Sequence, residues 1–240
     1  MIDFLLLVVV AVVTWCVAGD GVWGAAITFL SVLLGGLLAM QLFEPVASFL
    51  GNNFLTGYYW QMRVDIIALL GIFGGAVWGL RALGEKLLPT YAETHPLMHD
   101  VGRWLLSAAT GYVVMAILLT ALHTAPLPRE FLGFAPERRN LFDVVAPDRQ
   151  WLGFTQYVSE TSLRRKVNGE IVGFDTAQFP SNPRNPDTMR KWSTFILRYA
   201  ARRDQFGQGG VTETPAAPPP ASSSPSAPVP TGSGGGTGGF

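Results

Sequence analysis

His95 and His99, set four apart, are the first residues whose types and spacing invite chemistry. On a helix that interval places two imidazoles on one face, as in many metal sites. Pro96 follows the first of them and weakens that geometry, because its ring and missing N–H disturb a helical turn. No metal is expected there. Cys16 is the one cysteine, so an intrachain disulfide and a cysteine-based zinc cluster are both excluded. It lies in an apolar run, where a small, buried, unreactive thiol is expected. Trp15 stands directly before it, where a lipoprotein would need a small residue.

Arg63 and Asp65 open another apolar run and read as an interfacial ion pair, or as a carboxylate placed at a helix N-terminus. Thr14, Thr28, Thr110 and Thr120 are the polar groups within the runs, and each can return its hydroxyl to the backbone of its own helix. No run carries an ionisable residue near its middle, the usual mark of a proton or ion pathway. A glycine-rich phosphate loop, HExxH, GxSxG and paired cysteines are all missing. The chain is therefore read as non-enzymatic, with no catalytic residue, cofactor or metal assigned.

The apolar runs themselves dictate the architecture. Of 240 residues, 49% are hydrophobic and 14% charged, and the formal net charge is zero, so no bulk field recruits nucleic acid. Most charges fall beyond Leu80, which predicts a membrane-embedded first half with an aqueous appendage. Four transmembrane helices are expected, at about residues 2–18, 22–40, 63–83 and 101–122. The first is slightly short and would need local thinning or snorkelling at its flanks. Its Asp3, in place of a positive n-region, argues against a cleaved signal peptide. The expected fold class is all-α: a four-helix transmembrane domain over 1–123, a partly helical appended region over 124–206, and a disordered Pro/Ser/Gly-rich tail over 207–240.

Acyl chains are as apolar as leucine, so helices in a bilayer associate through close packing, and small residues every fourth position let backbones approach. Gly71, Gly75 and Gly79 follow that spacing in the third run, with Gly74 beside them; Ser31, Gly35 and Ala39 follow it in the second, and Gly111 succeeds Ser107 in the fourth. The expectation is a third helix acting as hub, its glycine stripe seated on the stripe of the second helix. Gly19-Asp20-Gly21 is a tight-turn signal that would fold the first two helices into a hairpin. On this reading Gly75→Leu would disrupt the bundle far more than Ala68→Leu.

Residues 41–61 carry Glu44, Pro45, Tyr58, Tyr59 and Trp60, and read as a connector along the headgroups with a short interfacial helix at about 46–50. Pro126, Pro128 and Pro136 predict an irregular connector. A helix is expected over 148–162 with Trp151, Phe154 and Val158 on one face. Another is expected over 186–203, with Met189, Trp192, Phe195, Ile196 and Tyr199 opposed to Arg190, Lys191, Arg198, Arg202 and Arg203. Such a basic amphipathic helix suits a membrane surface or partner groove and packing on the protein's own loops equally well. Arg81, Lys86 and Arg103 flank the third loop, while Arg63, Arg129, Arg138 and Arg139 lie opposite. Short loops weigh most in the positive-inside rule, which favours a cytoplasmic third loop and both termini outside.

Asp3 ahead of the first run, Gly19-Asp20-Gly21 with Trp23-Gly24 leading into the second, Ala39 near that run's end, and the charged third loop leading to Gly102 resemble the colicin V production protein family of bacterial membrane proteins. The resemblance covers roughly residues 1–123. It implies a multi-pass protein of the bacterial inner (cytoplasmic) membrane, associated with toxin (bacteriocin) production or export and with envelope homeostasis, without catalytic activity. Some relatives carry a protease domain after the helices; no such motif follows here. The expected role is that of an accessory or scaffold working through the lipid bilayer, other membrane or envelope proteins, or further copies of itself. The alternative is a small oligomeric transporter or pore.

Overall fold

The computed structural model describes residues 1–55, 57–87, 95–128, 130–136, 138–162, 165–167, 170–172, 174–175 and 194–207. The expected tail beyond Gly207, the loop at 88–94 and the first part of the basic helix, 186–193, lie outside the described residues. The described elements belong to one compact unit, Met1–Gly210. They are α1 (Ile2–Ala18), α2 (Gly21–Asn53), α3 (Tyr58–Gln61), α4 (Val64–Leu87), α5 (Pro96–Thr124), α6 (Pro147–Thr161), β1 (Arg165–Val167), β2 (Glu170–Val172) and α7 (Phe195–Gly207). The two strands form an antiparallel ribbon with Arg165 opposite Val172.

Three helices, α2, α4 and α5, are long and apolar enough to cross a membrane, which makes this a membrane-embedded helical protein. α1 is as apolar but has 17 residues. Across the bundle the helices are ordered α1, α5, α2, α4: α1 packs along α5, α5 along α2 and α2 along α4, while α4 barely meets α5. This order overturns the expectation that the third run is the hub. α2 and α5 are the inner helices, and half of the most apolar stretch of each is buried against 11% for α4.

The glycine stripe departs from expectation for the same reason. Gly71, Gly74, Gly75 and Gly79 have open space where a β-carbon would stand, so they face away from α2. The inner face of α4 is made of larger residues, with Val64, Ala68 and Leu69 buried and Ile72, Phe73 and Val77 packed on the same core. These larger side chains seat in the backbone of α2: a β-carbon at Gly35 would lie 2.9 Å from Val77 Cγ2 and 3.2 Å from Val77 N. Ser31 and Ala39 are buried beside it. Gly111 lies against α1, where a β-carbon would stand 2.9 Å from both the Val10 carbonyl oxygen and Thr14 Oγ1.

The turn at Gly19 and Asp20 forms, with Gly21 at φ 73°, but α1 then lies mainly on α5 rather than pairing with α2. Cys16 is exposed on the outer side of α1, not buried as expected. α2 does not stop near Met40: it continues to Asn53 through Pro45, in place of a connector with a separate helix at 46–50. Phe43, Ala47 and Gly51 recur at helical spacing and are buried, the first two in the same core as Met40, and this packing outweighs the missing N–H of one proline. At about 1.5 Å per residue the helix reaches about 50 Å, well beyond a hydrocarbon core of about 30 Å. Its last turns carry Phe43 and Glu44, on which Phe195, Tyr199 and Arg198 of α7 rest. α5 begins at Pro96, earlier than 101, with proline at the first turn where its missing N–H is harmless.

Candidate functional site

The end of the bundle where α1 and α4 begin and α2 and α5 finish carries most of the buried polar chemistry. α5 ends in Thr120, His123 and Thr124, all buried. Thr120 and Thr124 return their hydroxyls to Ala116 and Ala121 carbonyls (2.9 and 2.8 Å), as does Thr110 to Leu106 (2.8 Å). Thr14 instead donates across to the Ser107 carbonyl of α5 at 3.4 Å. His123 Nε2 lies 2.9 Å from Asp148 Oδ2, with the two side chains 1% and 0% exposed. Asp148 sits in the first turn of α6, just after Pro147, where a carboxylate suits the helix dipole. Asn140 donates to the same carboxylate oxygen at 3.5 Å and accepts from the Ala135 N–H at 3.3 Å. Phe134 closes the site edge-on to the imidazole, centroids 4.9 Å apart.

Arg203 of α7 completes the arrangement. Its guanidinium donates to the His123 carbonyl (3.2 Å) and the Leu122 carbonyl, and lies over the Phe134 ring at 5.0 Å. The last carbonyls of a helix lack donors of their own and carry partial negative charge, so a buried cation there satisfies both needs. The remainder of α7 binds the neighbouring helix ends. Phe195 and Tyr199 pack on Phe43 of α2 (6.1 and 6.5 Å between centroids), Arg198 pairs with Glu44 (3.0 Å), and Arg202 pairs with Asp65 at the start of α4. Burial holds the Tyr199 hydroxyl far above the usual phenol range, reinforced by the nearby Asp65 and Glu44 charges. Asp175 closes this side by accepting from the Thr194 N–H and hydroxyl, both at 2.7 Å.

The basic amphipathic helix expected at 186–203 is therefore described from Phe195 onward, with its apolar face on the protein's own core and its arginines on acidic groups and carbonyls. The helix expected at 148–162 is α6, but its buried face is Trp151, Leu152 and Thr155, while Phe154 is largely outside it. Asp65 stands in the first turn of α4, the carboxylate at a helix N-terminus expected as one of two settings, and is bound by Arg202. At the opposite end His95 caps α5 and His99 lies within it, with His99 Nδ1 3.7 Å from Asp100. Among the described residues no three His, Cys, Asp or Glu side chains converge as a metal would require.

Chemically, a His–Asp pair is the base and orienter of many hydrolytic sites. Here it is enclosed, and no described hydroxyl or thiol is bonded to the imidazole, whose Nδ1 has no hydrogen-bond partner among the described residues. The arrangement works as a clamp joining α5, α6 and α7. The roles of Asn140 and Asp148 are not legible in the sequence, because His123 and Asp148 pair across 25 residues and leave no local spacing to read. The available signal was His123 itself, an ionisable residue closing an apolar run between two threonines. Comparison with family models, with curated proteins and with solved structures returns no match for the chain.

Proposed function

We propose that the chain is a four-span scaffold or accessory protein of a bacterial inner membrane, with α1 as the fourth span, acting through other membrane or envelope proteins in toxin export or envelope homeostasis. The observation that carries this reading is the enclosure of His123 and Asp148, the best-placed chemical pair, at 1% and 0% exposure. Enclosure of the pair where α5 meets α6 supports an architectural role over contact with a substrate. The residues behind the resemblance to the colicin V production family also have architectural settings. Asp3 receives the Phe142 N–H at 2.8 Å. Asp20 binds Arg81 at 2.8 Å. A β-carbon at Gly24 or Gly102 would stand 2.6 Å from Asp20 Cβ or 2.8 Å from Val22 Cγ2.

The reading is tested by purifying tagged, full-length chain in a mild detergent from its own membrane. A stoichiometric membrane or envelope protein, retained in a His123→Gln variant, is expected. Recovery of the chain with nothing above background, together with flux in reconstituted vesicles, would favour the pore instead. In the proposed orientation the third loop is cytoplasmic and both termini are outside, which reporter fusions in that loop and after His123 would check.

A further inference from the structure

Two turns after α5 present apolar tips outward despite an unfavourable backbone. In the first, Phe131 and Phe134 exchange both backbone hydrogen bonds (3.1 and 2.8 Å), and the two central residues, Leu132 and Gly133, have φ of 53° and 89°. This is a tight reversal of the kind that selects Asn or Asp followed by Gly. Leu132 occupies the first of those places. In the second, Leu141 and Val145 pair, and Phe142 and Asp143 hold φ of 52° and 58°. A bulky side chain in the left-handed region is strained, whereas Asn or Gly is not.

Each turn buries its flank and exposes its tip. Phe134 and Leu141 pack with Ile2, Leu6, Met115 and Leu119, and both turns are tied to the start of α1: the Ile2 N–H donates to the Leu132 carbonyl (3.0 Å) and the Phe142 N–H to Asp3 Oδ1 (2.8 Å). Leu132, Phe142 and Val144 are 51%, 48% and 70% exposed. The Phe142 ring stands edge-on to Phe4, centroids 6.4 Å apart. From Phe4 the exposed apolar surface runs on along α1 through Leu5, Val8 and Val12.

We propose that the turns at 131–134 and 141–145 form a lipid-inserted collar, with Leu132, Phe142 and Val144 immersed at the boundary between headgroups and acyl chains beside α1. The occupant is the bilayer because the patch is continuous with the outer apolar side of α1, which lies along the membrane-crossing α5. Asp143, the acid between the tips, is held by Arg138 through two hydrogen bonds (2.6 and 3.0 Å), so its charge is offset beside the headgroups. Apolar residues at places where water-facing turns carry Asn or Gly are then accounted for. The proposal rests on the membrane-embedded reading and adds where the boundary runs.

Spin labels placed in a Cys16→Ser chain by Leu132→Cys, Phe142→Cys or Val144→Cys, in phosphatidylethanolamine/phosphatidylglycerol vesicles, test it by power saturation. Val12→Cys supplies the acyl-chain reference and Ser162→Cys the aqueous one. Labels at 132, 142 and 144 are expected to show an oxygen-to-nickel accessibility ratio roughly threefold or more above that at 162. Ratios equal to that at 162, with 12 still lipid-like, overturn the collar alone; an aqueous signal at 12 as well overturns the membrane placement of α1 beneath it. Leu132→Asn and Phe142→Asn suit the turn backbone and give a second measurement. Each should leave the turns folded while lowering lipid accessibility of a label at 144, and an unchanged label would also overturn the collar.

Discussion

α2 and α4 both carry small residues at four-residue intervals in apolar sequence, and they use them in opposite ways. On α2 the small residues are sockets. A β-carbon at Gly36 would stand 2.6 Å from both Ile117 Cδ1 of α5 and Trp151 Cζ2 of α6, and Gly35 receives Val77 of α4. On α4 the glycines open outward, and the knobs are on the other face. The difference follows from position. A helix flanked on both sides must lose side chains wherever two neighbours converge, whereas a helix at the end of the row needs only one contact face, which can be built from bulk. Small-residue spacing marks a face where backbone is accessible and leaves open whether this chain occupies it.

The largest expected effect comes from filling a socket. Gly36→Leu would drive a side chain into the tip of Ile117 and the rigid Trp151 ring, both buried with little room to yield, so a loss of about 3 kcal/mol is expected. Thermal unfolding in detergent, followed by helical circular dichroism, reads it. A loss below about 1 kcal/mol would mean that the socket relaxes easily, and α2 would no longer differ from α4.

Next comes the knob face of α4. Ala68 is 3% exposed, so Ala68→Leu overpacks the α2–α4 contact and should cost about 2 kcal/mol in the same assay. This reverses the ranking that the glycine stripe alone predicts. The reversal shows what was legible. Apolar runs identified the helices, and Gly19-Asp20-Gly21 the first turn, because length and local backbone preference act within a few residues. The order of helices across the bundle depends on which faces meet, and period alone cannot choose between two faces when Ala68, Ile72 and Ala76 form one stripe and Gly71, Gly75 and Gly79 the other. The end of α2 at Asn53 is hidden in the sequence for a related reason. Glu44 and Pro45 look like a boundary, but Glu44 finds Arg198, 154 residues away, and Phe43 finds Phe195 and Tyr199.

A smaller effect is expected where α4 is anchored by charge. Asp65→Asn removes the charge that Arg202 binds on α4, and the Arg202 side chain is 38% exposed and stays hydrated. The loss should therefore be about 1 kcal/mol, well below that for a sealed ion pair. Arg81 at the other end of α4 binds Asp20 and Glu85 with all three groups at least a third exposed, so its removal should cost less than that of Asp65. If Asp65→Asn proved as damaging as Gly36→Leu, α4 would owe its place to its charged end rather than to its packed face.

The smallest effect on the isolated chain should come from Gly75→Leu. With nothing within 4 Å of the position, the added side chain meets only lipid or detergent, and leucine is the better helix former, so the unfolding free energy should not fall and should rise by no more than about 1 kcal/mol. The informative measurement is association. If the bare face of α4 receives a helix from a partner or a second copy, Gly75→Leu must weaken that complex in crosslinking or light scattering while leaving the monomer as stable as before. A monomer that melted as early as Gly36→Leu would place the stripe inside the bundle and erase the contrast between the two helices. A variant unchanged in both stability and association would leave the contrast standing and assign the outward glycines to lipid.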